Sequence, residues 1–526
     1  MAGEGHDAGA GIGRAVISAR SSTVPRPGEG AVTALLADHL GQGAANLPAV
    51  TGSWPAYEHV NIQAGLDHWL AEQGGDHQLV GLVGAKHRLF GLADLLQPGQ
   101  EQGIVPGSVA TVDQPSGPDG ALRSCVECAL YFATAYDVRV VLMLRGSDQR
   151  GAQPDVTVEV VSTDLAASRR ILGEIRDLAI RHNVYRGQVV SFGREVMGPM
   201  RGALLTFHPR PALERQELIL PDGVLEGIER QVLGVARHRA RLLAHGQHLK
   251  RGILLYGAPG VGKTHTVRYL MSRMPETTVV LLTGTALHLI REACSVADTL
   301  APALVVIEDV DLIAENRDIR PGQNPLLFQI LNEMDGLSGD ADVTFLLTTN
   351  RVDVLEPALA SRPGRVDHAV ELPLPDAAAR RRLLELYRGG LLLDPAHLDR
   401  AVERTEGATA SFLKELLRRA ALLAADEQDG EQAAAADGAS GGDAAEGTVG
   451  TAGADDVDSA DGVERLATLA GPQQPTDSGA APTVLATAFV PLNVSGRHLD
   501  DALSDLNDTR NLLTRRLLGA NLPQQE

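Results

Sequence analysis

The chain has 526 residues, of which 44% are hydrophobic and only 3% aromatic, and its formal net charge is −20. This length predicts roughly three domains whose cores are built mainly from aliphatic side chains. The acidic balance argues against nonspecific binding of nucleic acid, because neutralising phosphates requires clustered Lys and Arg.

The first part of the chain predicts a partner-binding region without a catalytic site. Residues 1–50 are rich in Gly, Ala and Ser, so we expect a largely disordered N-terminus. Residues 51–215 predict an α+β domain that binds a partner or substrate. Its expected helices span 57–72, 122–134 and 164–182, and its expected strands span 79–83, 138–144, 156–161, 188–192 and 203–208. Asp164 is the expected N-cap of the third helix.

The cysteines indicate packing rather than a metal site. Cys125 and Cys128 form a lone C-x-x-C in the predicted helix 122–134, whereas a zinc site needs two more ligands at suitable spacing. We therefore expect two buried or half-buried thiols, and so few cysteines suit a reducing compartment. Since no signal-peptide pattern or apolar run of about 18 residues is present, we expect a cytoplasmic protein without a membrane span.

Residues 218–245 predict a mostly helical segment. The glycine-rich segment 257–264 that follows carries the clearest chemical signal. It follows the apolar run 253–256 and precedes a predicted helix, the setting in which G-x-x-x-x-G-K-T binds phosphate. Its backbone N–H groups form an anion nest, Lys263 supplies a cation, and the Thr264 hydroxyl can ligate Mg²⁺. We expect ATP to be bound by Gly257, Ala258, Pro259, Gly260, Val261, Gly262, Lys263, Thr264 and His265.

A second apolar run, 304–307, ends in Glu308 and Asp309 about 45 residues beyond Lys263. This is the pattern of a Walker B strand, in which one acid holds Mg²⁺ and the next orients the attacking water. A further predicted strand, 344–347, leads to Asn350, and the motif Ser-Arg-Pro-Gly-Arg follows at 361–365.

Together these motifs resemble an AAA+ ATPase of the AAA subset, and the resemblance covers residues 216–425. It implies a P-loop NTPase fold, with a large α/β domain over 216–375 and a helical lid over 376–425, preceded by the α+β domain. It assigns Asn350 as sensor 1 and both Arg362 and Arg365 as arginine fingers that reach a neighbouring subunit. Fingers acting in trans imply a ring-shaped homo-oligomer, in this family usually a hexamer.

Three features differ from the usual family pattern. The acids stand in the order Glu308-Asp309, as in the mitochondrial AAA subgroup that translocates the Rieske protein. We assign Thr264 and Glu308 to the metal and Asp309 to catalysis, with the division between the two acids left open. The stretch 283–292 offers only Leu287-His288-Leu289-Ile290, without the aromatic residue of a threading pore loop. No H-E-x-x-H protease motif is present.

Beyond the lid the composition changes. Residues 426–482 hold 13 acids against one Arg, which predicts an acidic disordered linker. Residues 483–526 form a C-terminal segment in which a helix over 499–518 is expected to pack on the lid or on a neighbouring subunit.

The leading hypothesis is an oligomeric ATPase that remodels a protein client held by the N-terminal domain. The alternative is a slowly hydrolysing nucleotide-dependent switch or scaffold. A nucleic-acid motor is disfavoured by the charge.

Overall fold

The computed structural model describes residues 30–41, 43–74, 76–100, 103–147, 154–193, 204–311, 325–351, 366–440 and 492–507. Two large sheets organise these residues. The first has six strands in the order β1-β8-β7-β6-β2-β3, and the second has seven in the order β10-β9-β12-β13-β14-β11-β15. The expected α/β fold with a preceding α+β region is thus confirmed.

The first sheet is antiparallel and covered by helices on both faces. Its strands are β1 (Val50–Trp54), β2 (His77–Val83), β3 (Val105–Gly107), β6 (Cys128–Ala135), β7 (Val138–Arg145) and β8 (Val156–Ser162). A separate hairpin is formed by β4 (Thr111–Pro115) and β5 (Leu122–Val126). Helices α2 (His59–Glu72) and α4 (Leu165–Arg181) pack on one face, and α1 (Ala31–Leu40) and α3 (Leu92–Leu95) pack on the other. As expected, Asp164 caps α4: its side chain accepts a hydrogen bond from the Ala166 amide.

Two expectations for this region are wrong. Residues 31–40 are helical rather than disordered, because Val32, Leu36 and Leu40 recur at helical spacing and are buried against the sheet. Residues 122–134 are the strands β5 and β6 rather than a helix. The apolar run 128–133 has no helical period, and it fills a strand that lies between β7 and β2 in the sheet interior.

This correction also separates the two cysteines of the C-x-x-C. Cys125 is buried in the core that extends to the second sheet, while Cys128 packs at the α1 side of the first sheet. Burial raises the pKa of Cys125 to about 12 and that of Cys128 to about 11, which disfavours the nucleophilic thiolate form of both. Among the described residues, no group of three or more His, Cys, Asp and Glu side chains is placed to hold a metal ion.

The second sheet is parallel except for the edge strand β10. Its strands are β9 (Val189–Gly193), β10 (Leu204–His208), β11 (Arg251–Tyr256), β12 (Thr278–Leu282), β13 (Ala303–Ile307), β14 (Val343–Thr349) and β15 (His368–Glu371). Around it lie α5 (Val224–Glu229), a π-helical segment (Arg230–Gly234), α6 (Val235–Ala244), α7 (Lys263–Ser272), α8 (Ile290–Thr299) and α9 (Pro325–Gly336).

The predicted boundary between residues 215 and 216 does not match this topology. Strand β9 pairs in parallel with β12, and β10 pairs with β9, so both extend the second sheet rather than the first. The two regions also share one apolar core, in which Tyr57 and Val60 meet Leu287 and Ile290. The Tyr185 hydroxyl, near the start of β9, donates to the Tyr57 carbonyl. The N-terminal region is therefore joined to the second sheet by a continuous core.

The lid contains more of the chain than expected. It comprises α10 (Ala377–Arg388), β16 (Leu392–Leu393), α11 (Pro395–Arg404) and α12 (Ala410–Ser440), joined by β17 (Asn493–Val494) and α13 (Gly496–Asn507). Residues 426–440 are helical, which corrects the predicted start of the disordered linker, since Ala-rich sequence continues α12. The C-terminal helix begins at Gly496, before the predicted residue 499, and packs on the lid as expected.

No helix within the described ranges is both long and apolar enough to cross a membrane.

Candidate active site

The phosphate loop occupies the turn between β11 and α7, as the sequence predicts. Gly257, Gly260 and Gly262 have φ values of 151°, 81° and 110°, a backbone region that side chains disfavour. At Gly257 a Cβ atom would also lie 2.4 Å from the Leu372 carbonyl oxygen. The loop conformation therefore requires glycine, and it ends at the N-terminus of α7, where backbone N–H groups favour an anion.

Lys263 is the cation of this loop. Its side chain is buried, and Nζ donates to the carbonyl oxygens of Gly257 at 2.8 Å and Ala258 at 3.0 Å. Burial lowers the pKa of Lys263, while the nearby charges of Asp309 and Asp311 act in the opposite direction. These contacts fix a positive charge beside the loop.

The remaining residues of the predicted nucleotide set have mixed surroundings. Val261 is buried in the apolar core, and His265 Nε2 lies 3.2 Å from the carbonyl oxygen of Glu217. The Gly260 carbonyl accepts a hydrogen bond from the Ser411 amide at 3.2 Å, in the first turn of α12. The lid thus touches the phosphate loop directly.

Glu308 follows β13 and faces the start of α7. The Thr264 hydroxyl is close enough to its carboxylate to favour the charged form. Burial raises the pKa of Glu308, with a further contribution from Asp309, and the Thr264 hydroxyl opposes the rise. Glu308 Oε1 is buried and has no hydrogen-bond partner. A buried carboxylate oxygen beside a hydroxyl is a suitable donor set for Mg²⁺, which prefers oxygen ligands.

Asp309 has a different partner from that of Glu308. The Asn350 side-chain amide, after β14, donates from Nδ2 to Asp309 Oδ1 at 3.4 Å. Asp309 adopts a φ of 52°, an uncommon left-handed conformation for a residue with a side chain, and its amide donates to Thr348 Oγ1 at 3.1 Å. The two neighbouring acids therefore present carboxylates to different groups.

One residue of the site was not predicted. Asp311 is buried, and its Oδ1 accepts hydrogen bonds from Thr349 Oγ1 at 2.9 Å and from the backbone amide of Asn350 at 3.2 Å. The available signal was a third acid two residues after Asp309. The predicted arginine fingers Arg362 and Arg365 lie outside the described residues.

The segment in the pore-loop position is mostly internal. Residues 284–289 form a 3-10 turn that leads into α8. Leu287 and Ile290 are 2% and 0% exposed and pack in the core shared with Tyr57, while His288 is exposed. Three of the four residues considered for gripping a polypeptide are thus used for packing, because Leu289 also packs against this core.

Comparison with known proteins agrees with this geometry. The model of the family described as "ATPase family associated with various cellular activities (AAA)" matches residues 253–374. The chain is 33% identical over 286 residues to the ATP-dependent zinc metalloprotease FtsH 2 of Sphaerobacter thermophilus, which covers 51% of this chain and 43% of that protein. It is 34% identical over 194 residues to a 26S proteasome regulatory subunit 4 homolog of Oryza sativa subsp. japonica, covering 34% of this chain and 43% of that protein.

These similarities are partial. The chain spans less than half the length of these relatives.

Proposed function

We propose that this chain binds Mg-ATP and hydrolyses it to ADP and phosphate, because the AAA ATPase family model matches residues 253–374. The observation that carries the proposal is the meeting of Lys263, Glu308, Asp309 and Asn350. They follow β11, β13 and β14, which are adjacent and parallel, so their carboxyl ends lie at one edge of the sheet.

Each group has a distinct role in this proposal. The loop Gly257–Thr264 and Lys263 bind the phosphates. Thr264 and Glu308 would hold Mg²⁺, which when bound neutralises charge on the phosphates. Asp309 accepts the proton of the attacking water, and Asn350 orients Asp309 and that water. Arg362 and Arg365 are proposed to act on the nucleotide of a neighbouring subunit.

We further propose a cytoplasmic ring, of the hexameric type, that remodels a protein client. The shared core around Tyr57 and Leu287 supports a role for the N-terminal region, because a shift of α8 on hydrolysis would be passed to it through packed side chains. The burial of Leu287 and Ile290 favours binding of the client by the N-terminal region rather than threading of the client past residues 287–290. The zinc protease activity in the relatives' names is not proposed, since this sequence contains no H-E-x-x-H motif.

A slowly hydrolysing switch or scaffold is the second candidate. It is favoured by Asp309, whose side chain is one methylene shorter than the glutamate usual at this position. It is opposed by the hydrogen bond that holds Asp309 to Asn350.

The rate of ATP hydrolysis, measured against protein concentration with light scattering alongside, tests the proposal. A specific rate that rises as rings form supports a ring-forming ATPase, whereas tight ATP binding with a near-zero rate at all concentrations supports the switch. Lys263→Ala should abolish binding. Lys86→Ala is the matched control, because that side chain is exposed in the N-terminal region. Unchanged ATP affinity in Lys263→Ala would contradict the assignment of the loop.

A further inference from the structure

We propose that Asp311 is a positioning residue that sets the orientation of Asn350 toward Asp309. The inference rests on the proposed hydrolysis of ATP and adds a residue to it. Asp311 is 7% exposed and lies two residues after Asp309, where the chain turns back from the end of β13. A buried carboxylate in such a place needs hydrogen-bond donors, and the structure supplies them from the adjacent strand.

Both donors belong to the end of β14. A single oxygen, Asp311 Oδ1, accepts from the Thr349 hydroxyl at 2.9 Å and from the Asn350 backbone amide at 3.2 Å. The Thr349 hydroxyl oxygen in turn accepts from the Arg351 amide at 3.0 Å. The backbone is therefore tied on both sides of Asn350, which fixes the direction in which its side chain leaves the strand.

A second set of bonds fixes Asp309 against the same strand. The Asp309 amide donates to Thr348 Oγ1 at 3.1 Å, and the Val310 amide donates to the Thr348 carbonyl at 3.0 Å. Thr348 and Thr349 are 1% and 0% exposed, so the cross-links are shielded from water. They hold Asp309 in its left-handed conformation and bring its carboxylate to 3.4 Å from the Asn350 amide nitrogen.

This arrangement matters because the proposed chemistry depends on the relative position of Asp309 and Asn350. A displacement of about 1 Å in a reacting group can cost about 100-fold in rate. Loss of Asp311 would leave the Thr349 hydroxyl and the Asn350 amide without their buried acceptor, and the end of β14 would rearrange to satisfy them. The residue would then act on hydrolysis through Asn350, without touching nucleotide.

An alternative role for Asp311 is a purely electrostatic one on Lys263, whose ammonium senses its charge. The two roles make opposite predictions for the neutral isostere. In Asp311→Asn the Oδ1 acceptor is retained and the charge is lost, whereas Asp311→Ala loses both. Positioning requires only the acceptor, while support of Lys263 requires the charge.

The test uses the full chain with Mg-ATP, measuring kcat and KM by phosphate release and Kd with a fluorescent N-methylanthraniloyl ATP. We expect Asp311→Ala to lower kcat by about 100-fold with Kd close to wild type. Asp311→Asn should recover most of that loss. The double variant Asp311→Ala, Asn350→Ala should be no slower than Asn350→Ala alone. Both changes remove the same contribution to the rate, namely that of a correctly oriented Asn350 side chain.

Several outcomes would overturn the inference. Losses that multiply in the double variant would mean that Asp311 acts independently of Asn350. An Asp311→Asn variant as slow as Asp311→Ala, or one with weakened nucleotide binding, would point to its charge. If the wild-type chain hydrolyses ATP and Asp311→Ala is normal, only the positioning role fails; if the wild-type chain binds ATP without hydrolysis, the proposed function fails with it.

Thermal unfolding checks that each variant is folded. Should Asp311→Ala not fold, Thr349→Val gives the same information from the other side of the bond. It removes the hydroxyl and leaves the Asn350 amide on Asp311, so we expect a smaller fall in kcat with Kd unchanged. A normal kcat in Thr349→Val, or a loss in Thr349→Val that multiplies with that of Asn350→Ala in the double variant, would refute positioning.

Discussion

Asn350 Nδ2 donates a hydrogen bond to Asp309 Oδ1 at 3.4 Å, and this bond joins the ends of two adjacent strands. Glu308, the preceding residue, instead has the Thr264 hydroxyl as the neighbour that favours its charged form. Two neighbouring acids thus have separate surroundings, one beside the proposed water and the other beside the proposed metal. The reversed Glu-Asp order therefore still provides two distinguishable carboxylates.

This separation predicts different defects for the two amide variants. Asp309→Asn should bind ATP and lower kcat by about 10²–10⁴, because the proton acceptor is lost. Glu308→Gln should raise the Mg²⁺ concentration needed for half-maximal rate, because a charged ligand is lost. Steady-state rates in a Mg²⁺ titration at saturating ATP measure both effects. Normal turnover in Asp309→Asn would transfer the role of base to Glu308.

The phosphate loop and its neighbouring strands could be predicted because their signals are local. Gly257 and Gly262 occupy backbone conformations that favour glycine, and the runs before Gly257 and Glu308 are continuous apolar strands of a buried parallel sheet. The role proposed for each residue follows from its place at a strand end. Asp311 was missed because its acceptor role depends on Thr349, 38 residues away.

The errors arose where distant pairing decides the structure. Strand β9 joins β12 across about 90 residues of sequence, and no local pattern indicates which sheet a short strand will enter. The run 128–133 contains Ala and Leu, which favour helix locally, but pairing with β7 and β2 on both sides makes it a strand. The pairing of β17 with β16 in the lid likewise joins residues that are distant in sequence, so no local pattern predicts it.

The stability of the N-terminal region should depend on the charge of Glu58. This carboxyl lies at the start of α2, where Oε2 accepts from Asn61 Nδ2 at 2.8 Å. Burial raises the pKa of Glu58 from its ordinary 4.5 to about 7, and the Asn61 bond opposes the rise. The folded state therefore holds the proton more tightly than the unfolded state between these values, so the free energy of unfolding falls as pH rises from about 4.5 to about 7.

Glu58→Gln should remove that fall. Above pH 7 we expect the variant to be more stable than wild type by on the order of 1–3 kcal/mol, with no difference near pH 4.5. Trp54 and Trp69, the two tryptophans of the chain, both lie in this region and report its unfolding by fluorescence. Glu72→Gln, at the exposed end of α2, is the control and should follow the wild-type profile. A constant difference between Glu58→Gln and wild type at all pH values would contradict the assignment.

The lid should depend on the C-terminal segment. Leu503 in α13 is 3% exposed and packs in the lid core with Phe412 and Leu416 of α12. Leu503→Ala should destabilise the lid by about 2–5 kcal/mol, through lost burial and the resulting cavity. Since α12 also contacts the phosphate loop through Ser411 and Gly260, ATP affinity should fall with it.

Calorimetric unfolding and titration with the fluorescent nucleotide measure the two effects of Leu503→Ala. Ser504→Ala, the adjacent exposed position, should leave both unchanged. If Leu503→Ala lowered stability without altering nucleotide affinity, the contact between Ser411 and Gly260 would have no part in binding.

The final prediction concerns subunit cooperation through Arg362. We expect Arg362→Ala to bind ATP but hydrolyse it about 10³-fold or more slowly, because a guanidinium that stabilises the transferring phosphate is lost from the neighbouring site. Lys263→Ala should be inactive for a different reason, since it cannot bind nucleotide.

Mixing the two variants creates interfaces in which the intact Arg362 of one subunit faces the intact phosphate loop of another. Hydrolysis should then partly return and should rise with the fraction of mixed rings. Arg362→Ala alone, at the same total protein concentration, should remain slow. Arg169→Ala, an exposed change on α4, should hydrolyse ATP normally alone and so controls for loss of an arginine. If mixtures stay as slow as their components while light scattering shows mixed rings, Arg362 acts within its own subunit.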